Sequence, residues 1–193
     1  MKLIFASHNS NKVIEIASLL PEGIELLSLT DIGFNEEIAE TADTLEGNSL
    51  LKARTIYQKT GIACFADDTG LEVEVLNNRP GVFSARYAGE SKNDHENIHK
   101  LLNELENQSN RKARFRTVIT LLLNGVENQF EGIVEGELIS EKKGESGFGY
   151  DPIFVPENEK RTFAEMNLAE KNQFSHRARA FNSMIRFLAN RES

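Results

Sequence analysis

Residues 62–70 read Ile62-Ala63-Cys64-Phe65-Ala66-Asp67-Asp68-Thr69-Gly70, and the rest of the chain is read outward from them. An apolar run of strand length gives way at once to two adjacent carboxylates, a hydroxyl and a glycine. Such a run, bounded by turn residues, suits a buried strand. Open α/β sheets place ligands at the carboxyl ends of their strands. The pattern therefore predicts a strand that ends in the carboxylates. Two carboxylates shielded from water repel, and a cation or a shared proton relieves them. Mg²⁺ takes oxygen ligands and commonly joins one or two carboxylates to a substrate's phosphates. An exposed Asp-Asp-Thr-Gly turn is the plainer reading of the same residues.

Upstream, Lys2 to Ala6 reads as a first strand and is followed by a polar loop, Ser7-His8-Asn9-Ser10-Asn11-Lys12. Val13, Ile16, Ala17 and Leu20 then recur at helical spacing. A strand, a polar loop and a helix N-terminus together make a place for an anion, because the first helical N–H groups lack partners. The G-x-x-x-x-G-K-[ST] pattern is absent. Ordinary capping explains the same polar residues equally well. A second strand and its exit are expected over 24–32, then an acidic run, Glu36-Glu37-Ile38-Ala39-Glu40. Such a run usually marks a solvated face. Asp43, with Glu46 three residues on, predicts the N-cap of a helix running to about Lys59 and stopped by Gly61. On that helix Asn48 and Lys52 share a face.

Downstream, residues 71–76 lead to Asn77-Asn78-Arg79-Pro80-Gly81, a strong turn. Residues 93–106 form an amphipathic helix with Ile98, Leu101, Leu102 and Leu105 as its stripe. It carries His95-Glu96-Asn97-Ile98-His99, a literal H-E-x-x-H. On a helix that pattern can hold zinc, which also needs a third ligand. The metzincin extension would require Gly at 102 and His at 105, and both are Leu. Two β-rich stretches, 114–123 and 129–139, flank the hairpin residues Asn124-Gly125. Gly132 and Gly136 in the second suggest a bulge or bend. Gly147-Phe148-Gly149-Tyr150-Asp151 combines backbone freedom with aromatic faces, which suits stacking on a base. In the final helix His176 and Arg177 oppose the helix dipole, as if something anionic sat beside them.

Composition narrows the class. A chain of 193 residues with 39% hydrophobic residues supports one folded domain. A single cysteine, Cys64, excludes an intramolecular disulfide and reads as a small core residue. The formal net charge of −8 argues against nucleic acid as the main partner. No apolar stretch reaches the ~18 residues of a membrane span, and the first residues lack signal-peptide character. The cytoplasm is the expected location.

Taken in order, four blocks resemble the inosine/xanthosine triphosphate pyrophosphatase family, hydrolases that clear deaminated purine nucleotides. They are Phe65 to Leu71, Pro80 to Gly89, Gly147 to Phe154, and Phe163 to Met166 with Lys171 and Ser175 to Ala178. The likeness runs from residue 3 to about 190. It implies an α/β fold: a long curved mixed sheet flanked by helices, with two lobes around a central cleft, as a homodimer. It implies Mg²⁺-dependent cleavage of ITP, dITP or XTP to the monophosphate and pyrophosphate. By the same resemblance, Ser7, His8, Asn9, Ser10, Asn11 and Lys12 would hold phosphates. Glu40 and Asp68 would bind the metal. Asp68 would activate water with Asp67 assisting, and Thr69 would touch the substrate. Phe148 would stack on the base, and Gly149, Tyr150 and Asp151 would line its pocket. Lys171, His176 and Arg177 would contact phosphate or the 6-keto edge. His8 stands where the family commonly has glycine, and Gly47 where an acidic residue is common. A zinc peptidase using His95, Glu96 and His99, and a nucleotide-binding module without chemistry, are the other readings.

Overall fold

The computed structural model describes residues 1–191, and the chain divides into two compact units. The first comprises residues 1–68, 117–132 and the chain from His176; the second comprises residues 69–116 and 133–175. The first unit is built on β1 (Lys2–Phe5), β2 (Glu25–Leu27) and the start of β3 (Cys64–Val73). β1 pairs in parallel with both of its neighbours, Ile4 lying opposite Leu27 and Cys64. The end of β5 (Lys112–Leu123) and the start of β6 (Val126–Leu138) complete the strand order β2-β1-β3-β5-β6.

Successive strand residues point to opposite faces, and both faces of this sheet are covered. Leu3, Phe5 and Phe65 pack with Ala180, Phe181 and Met184 of α5 (His176–Ala189), the Phe5 and Phe65 rings stacking at 4.7 Å. Ile4, Ala6, Cys64 and Ala66 pack with Ala53 and Ile56 of α2 (Leu45–Thr60). Burial on both faces is why β1 and the start of β3 read as unbroken apolar runs rather than alternating ones. Phe65 is fully buried, and truncation to alanine would cost about 3–5 kcal/mol.

The second unit takes the remainder of β3, β5 and β6 and adds β4 (Arg79–Gly81) and β7 (Phe154–Pro156). β4 and β7 pair antiparallel with β3 and β6, so the sheet is mixed. Its core joins Leu71, Val73, Phe115, Phe154 and Phe163 with Ile98 and Leu101 of α3 (Asp94–Glu104). Phe115 meets Phe154 edge-on at 4.7 Å. Among the described residues no helix is long and apolar enough to cross a membrane.

Several local expectations are corrected. β3 does not end at the carboxylates but runs on through Thr69 and Gly70 to Val73, because β4 supplies a partner for residues 71–73. Gly70 is needed there: a Cβ would lie 2.6 Å from the carbonyl oxygen of Gly81. α2 is capped by Thr44, whose side chain accepts from the Gly47 N–H, so the N3 position holds Gly47 and not Glu46. Ser10, Asn11 and Lys12 belong to α1 (Ser10–Ala17), with Asn9 as its N-cap. Gly132 makes room for a packed helix, since a Cβ would meet the His176 carbonyl and lie 2.6 Å from Ala180 N. The Asn124-Gly125 turn and the Gly61 stop, in the left-handed region at φ 65°, form as expected.

Candidate active site

The strand geometry of β3 separates its two carboxylates. Asp67 points to the same face as Phe65, and Asp68 to the same face as Ala66. Each meets its own set of partners, and the expected repulsion between neighbours is resolved by direction rather than by one shared cation.

On the first face, Lys12 Nζ of α1 donates to Asp67 Oδ1 at 3.0 Å. Arg177, in the first turn of α5, donates through Nε to Asp67 Oδ2 at 3.1 Å and through Nη1 to Glu15 Oε2. Arg177 is 1% exposed, Asp67 1% and Glu15 4%. Two cations and two anions balance there, which makes their burial tolerable. The anions beside the last helix are thus the chain's own carboxylates. Burial alone would raise the Asp67 pKa, but Lys12, Arg177 and Lys52 outweigh it and hold the carboxyl well below its usual range. Lys12 is shifted down, first by burial and then by Lys52 and Arg177, against the pull of Asp67. His176 is buried, with Nδ1 2.6 Å from the Thr117 hydroxyl of β5.

On the second face, Lys52 of α2 donates to Glu40 Oε1 at 2.6 Å and to Asp68 Oδ1 at 3.1 Å. Asn48, one helical turn earlier, donates to Asp68 Oδ2 at 3.3 Å. The Asn48 side-chain oxygen accepts from Ala42 N at 2.9 Å, which ties down the irregular segment that carries Glu40. Burial raises the Asp68 pKa and Glu40 adds to it, while Lys52 and Lys12 oppose. Lys52 itself is raised: burial would lower it, but Asp68, Glu40 and Asp67 prevail.

Lys52 draws the two carboxylates together on this side, and Lys12 adds positive charge toward Asp68. A pair of hard carboxylate oxygens fits a divalent cation such as Mg²⁺, which needs only one or two protein carboxylates when phosphates complete its shell. Residues 7–11 lead into Lys12. Ser7 Oγ accepts from Asn9 N at 3.2 Å, and the Asn9 side chain accepts from Lys12 N at 3.2 Å. His8, Asn9, Ser10 and Asn11 are exposed.

The second unit holds the residues expected at the base, and each is fixed locally. Asp151 Oδ2 accepts from Phe148 N at 3.0 Å and from Lys171 Nζ at 2.5 Å. Lys171 lies on α4 (Leu168–Asn172), 5.3 Å from the centre of the Phe148 ring and 5.2 Å from that of Phe163. The Tyr150 hydroxyl donates to Ser84 O at 2.9 Å, and Gly149 N donates to Asp94 Oδ2 at 2.7 Å. Gly147 is at φ 76°, and a Cβ there would strike the Asp151 carboxylate. Asp151 and Lys171 are almost wholly buried, whereas the Phe148 ring is half-exposed and Thr69 half-buried.

Sequence reasoning did not assign Lys52, Asn48 or Glu15 to the site. Lys52 and Asn48 had a visible cue, their shared face on one helix. Glu15, three residues after Lys12, was concealed by the apolar stripe around it. The H-E-x-x-H residues lie apart: His95, Glu96 and His99 line an open hollow on α3 with Lys100, and Lys142 Nζ lies 2.7 Å from His95 Nδ1. Among the described residues no three His, Cys, Asp or Glu side chains gather to hold a metal, so the zinc-peptidase reading lacks its third ligand. Cys64 is buried, and burial pushes its thiol up to about 12, the profile of a core residue rather than a nucleophile.

Known proteins are similar to this chain along almost its whole length. A dITP/XTP pyrophosphatase of Flavobacterium psychrophilum is 56% identical over 190 residues, 98% of this chain and 100% of that protein. One of Flavobacterium johnsoniae is 57% identical over 188 residues, 97% of this chain and 98% of its own. The solved structure of a HAM1 protein from Coxiella burnetii superposes with a TM-score of 0.90 at 39% identity, covering 98% of this chain and 99% of that one. The sequence profile of the Ham1 family matches residues 3–187, and with relatives this similar the chain belongs to the Ham1 family.

Proposed function

We propose that this protein hydrolyses deaminated purine nucleoside triphosphates, ITP, dITP and XTP, to the monophosphate and pyrophosphate. The observation that carries this reading is the Glu40–Lys52–Asp68 cluster, two carboxylates drawn together on one buried cation, an oxygen pair of the kind a divalent ion takes. The names of its Flavobacterium relatives agree with it.

Glu40 and Asp68 would hold the Mg²⁺. Bound there, the ion would neutralise charge on the triphosphate and polarise a phosphoryl oxygen. Asp68 accepts a proton from water as the water attacks the α-phosphorus. The α–β anhydride bond breaks, and pyrophosphate leaves with the bonding pair. Asn48 orients the Asp68 carboxylate by donating to its second oxygen. Lys52 and Lys12 bring positive charge to the phosphates, alongside the helix N-terminus and polar side chains of 7–12. Asp67 serves Asp68 indirectly, by holding Lys12 and Arg177 in place.

In the second unit, Phe148 stacks on the base and Lys171 supplies charge whose position Asp151 fixes. A 6-keto purine presents an acceptor where adenine presents a donor. A site built to donate there rejects adenine, because a buried donor would be left without a partner. Thr69 and His176 complete the substrate contacts in this reading. The protein would act as a homodimer on free cytoplasmic nucleotides, with its net charge of −8 disfavouring nucleic acid.

The test is pyrophosphate release from ITP, XTP, GTP and ATP with Mg²⁺, with and without EDTA. Selective release from ITP and XTP, abolished by EDTA, is expected. Equal hydrolysis of all four would remove the 6-keto argument while keeping the metal site. Binding of ITP with no release would favour a nucleotide-binding module without chemistry.

A further inference from the structure

His8, one of the polar residues of 7–12, also joins two parts of the first unit. Its Nε2 lies 3.0 Å from the backbone oxygen of Glu36. A carbonyl only accepts, so this nitrogen carries the proton and donates. The His8 ring lies beside Phe34, centroids 6.1 Å apart and planes 25° from parallel. Phe34 is anchored: it is 3% exposed and packs in the cluster of Leu29 and Ile56. Lys59 adds a contact from α2, with Nζ 4.6 Å from the Phe34 ring centre and 3.1 Å from Glu36 Oε1.

What His8 holds is the approach to Glu40. Residues 34–44 have neither helix nor strand. Phe34 fixes one end of this segment, and the Asn48 bond to Ala42 N fixes the other. Glu40 lies between. Segments with few regular backbone bonds open at low free energy, and every group immobilised only on binding subtracts from affinity. A side chain that ties such a segment down beforehand reduces that cost. His8 does so from the residue just before the N-cap of α1, whose first turn carries Lys12.

We infer that His8 is a positioning residue, a clasp that holds the Glu40-bearing segment to the turn preceding Lys12. It thereby presents the metal carboxylate and the phosphate-binding residues together before substrate arrives. This rests on the proposed metal role of Glu40. Glycine at this position would leave neither the donor to Glu36 nor the ring beside Phe34.

The test uses the full chain with His8→Ala, which removes both contacts, His8→Phe, which keeps a ring, and His8→Gln, which keeps a donor. Three quantities are measured: amide hydrogen exchange over residues 35–42, Mn²⁺ affinity of the nucleotide-free protein by spin-resonance titration, and KM against kcat for ITP. A hydrogen bond of ordinary net strength predicts about three- to tenfold faster exchange in that segment for His8→Ala. Mn²⁺ affinity should fall by a similar factor. KM should rise by more than kcat falls, and His8→Gln should recover more than half of the exchange protection. Unchanged exchange over 35–42 in His8→Ala would overturn the clasp, as would acceleration spread evenly over the whole unit. If the unaltered protein bound no Mn²⁺, the metal role of Glu40 would fall, while the exchange measurement would still decide the clasp.

Discussion

Arg177 Nε donates to Asp67 Oδ2 at 3.1 Å, joining residues 110 apart in the chain in a site where both are 1% exposed. The same guanidinium reaches Glu15. Asp67→Asn would therefore leave Arg177 and Lys12 buried against one fewer charge. Breaking a buried pair from one side costs about 3–5 kcal/mol, or a fall in Tm of roughly 6–20 °C for a chain of this size. Thermal melts at pH 7 check this, and a change under 2 °C would count against it. The sign with pH follows. Asp67 is held below its ordinary pKa, so its stabilisation is present above the unfolded value of about 3.9 and lost as pH falls below it. Between pH 5 and pH 3 the unaltered protein should lose more stability than the variant.

Asp68 behaves oppositely because it faces the other side of β3. Its pKa is raised, chiefly by burial, so folding does not stabilise its ionised form as it does that of Asp67. Asp68→Asn should leave Tm unchanged or slightly higher while lowering ITP turnover by at least about a hundredfold, the usual worth of a general base. Melting and pyrophosphate release on one preparation test both halves. Activity near that of the unaltered protein would remove Asp68 as the proton acceptor.

Lys52 donates to both Glu40 and Asp68. In Lys52→Met those carboxylates face each other without it. Tm in EDTA should fall, and 10 mM Mg²⁺, an order-of-magnitude excess over an ordinary millimolar site, should restore part of the loss. The Mg²⁺-induced rise in Tm should exceed that of the unaltered protein. An equal rise in both would separate Lys52 from the metal site.

Phe148 offers a half-exposed ring whose position is set by its backbone bond to Asp151. Stacking a base on such a ring contributes about 1–3 kcal/mol, so Phe148→Ala should raise KM for ITP by roughly 5- to 150-fold. The ring packs on the surface of its unit, so Tm should move by less than about 3 °C. Unchanged KM would place the base elsewhere.

Much of this molecule was legible from local pattern. The apolar runs at 3–6 and 62–66 announced strands. Asn124-Gly125 announced a hairpin, which the structure closes in two residues, and Gly61 the end of α2. These succeed because each depends on backbone preferences or on neighbours within a few residues. The length of β3 was not legible: whether residues 67–73 extend or turn depends on the partner that β4 supplies.

By itself the sequence determined the longer strands and helices and the family to which the chain belongs, along with the residue types available for phosphate and metal chemistry. Only the tertiary structure decided that Asp67 and Asp68, adjacent in the chain, belong to different networks. Strand geometry sends them to opposite faces, and their partners come from 16 to 110 residues away. A charge pattern in one dimension carries no face, and burial of an ion pair requires all its partners to arrive together. That is why Glu15 and Lys52 became visible as site residues only once the chain was folded.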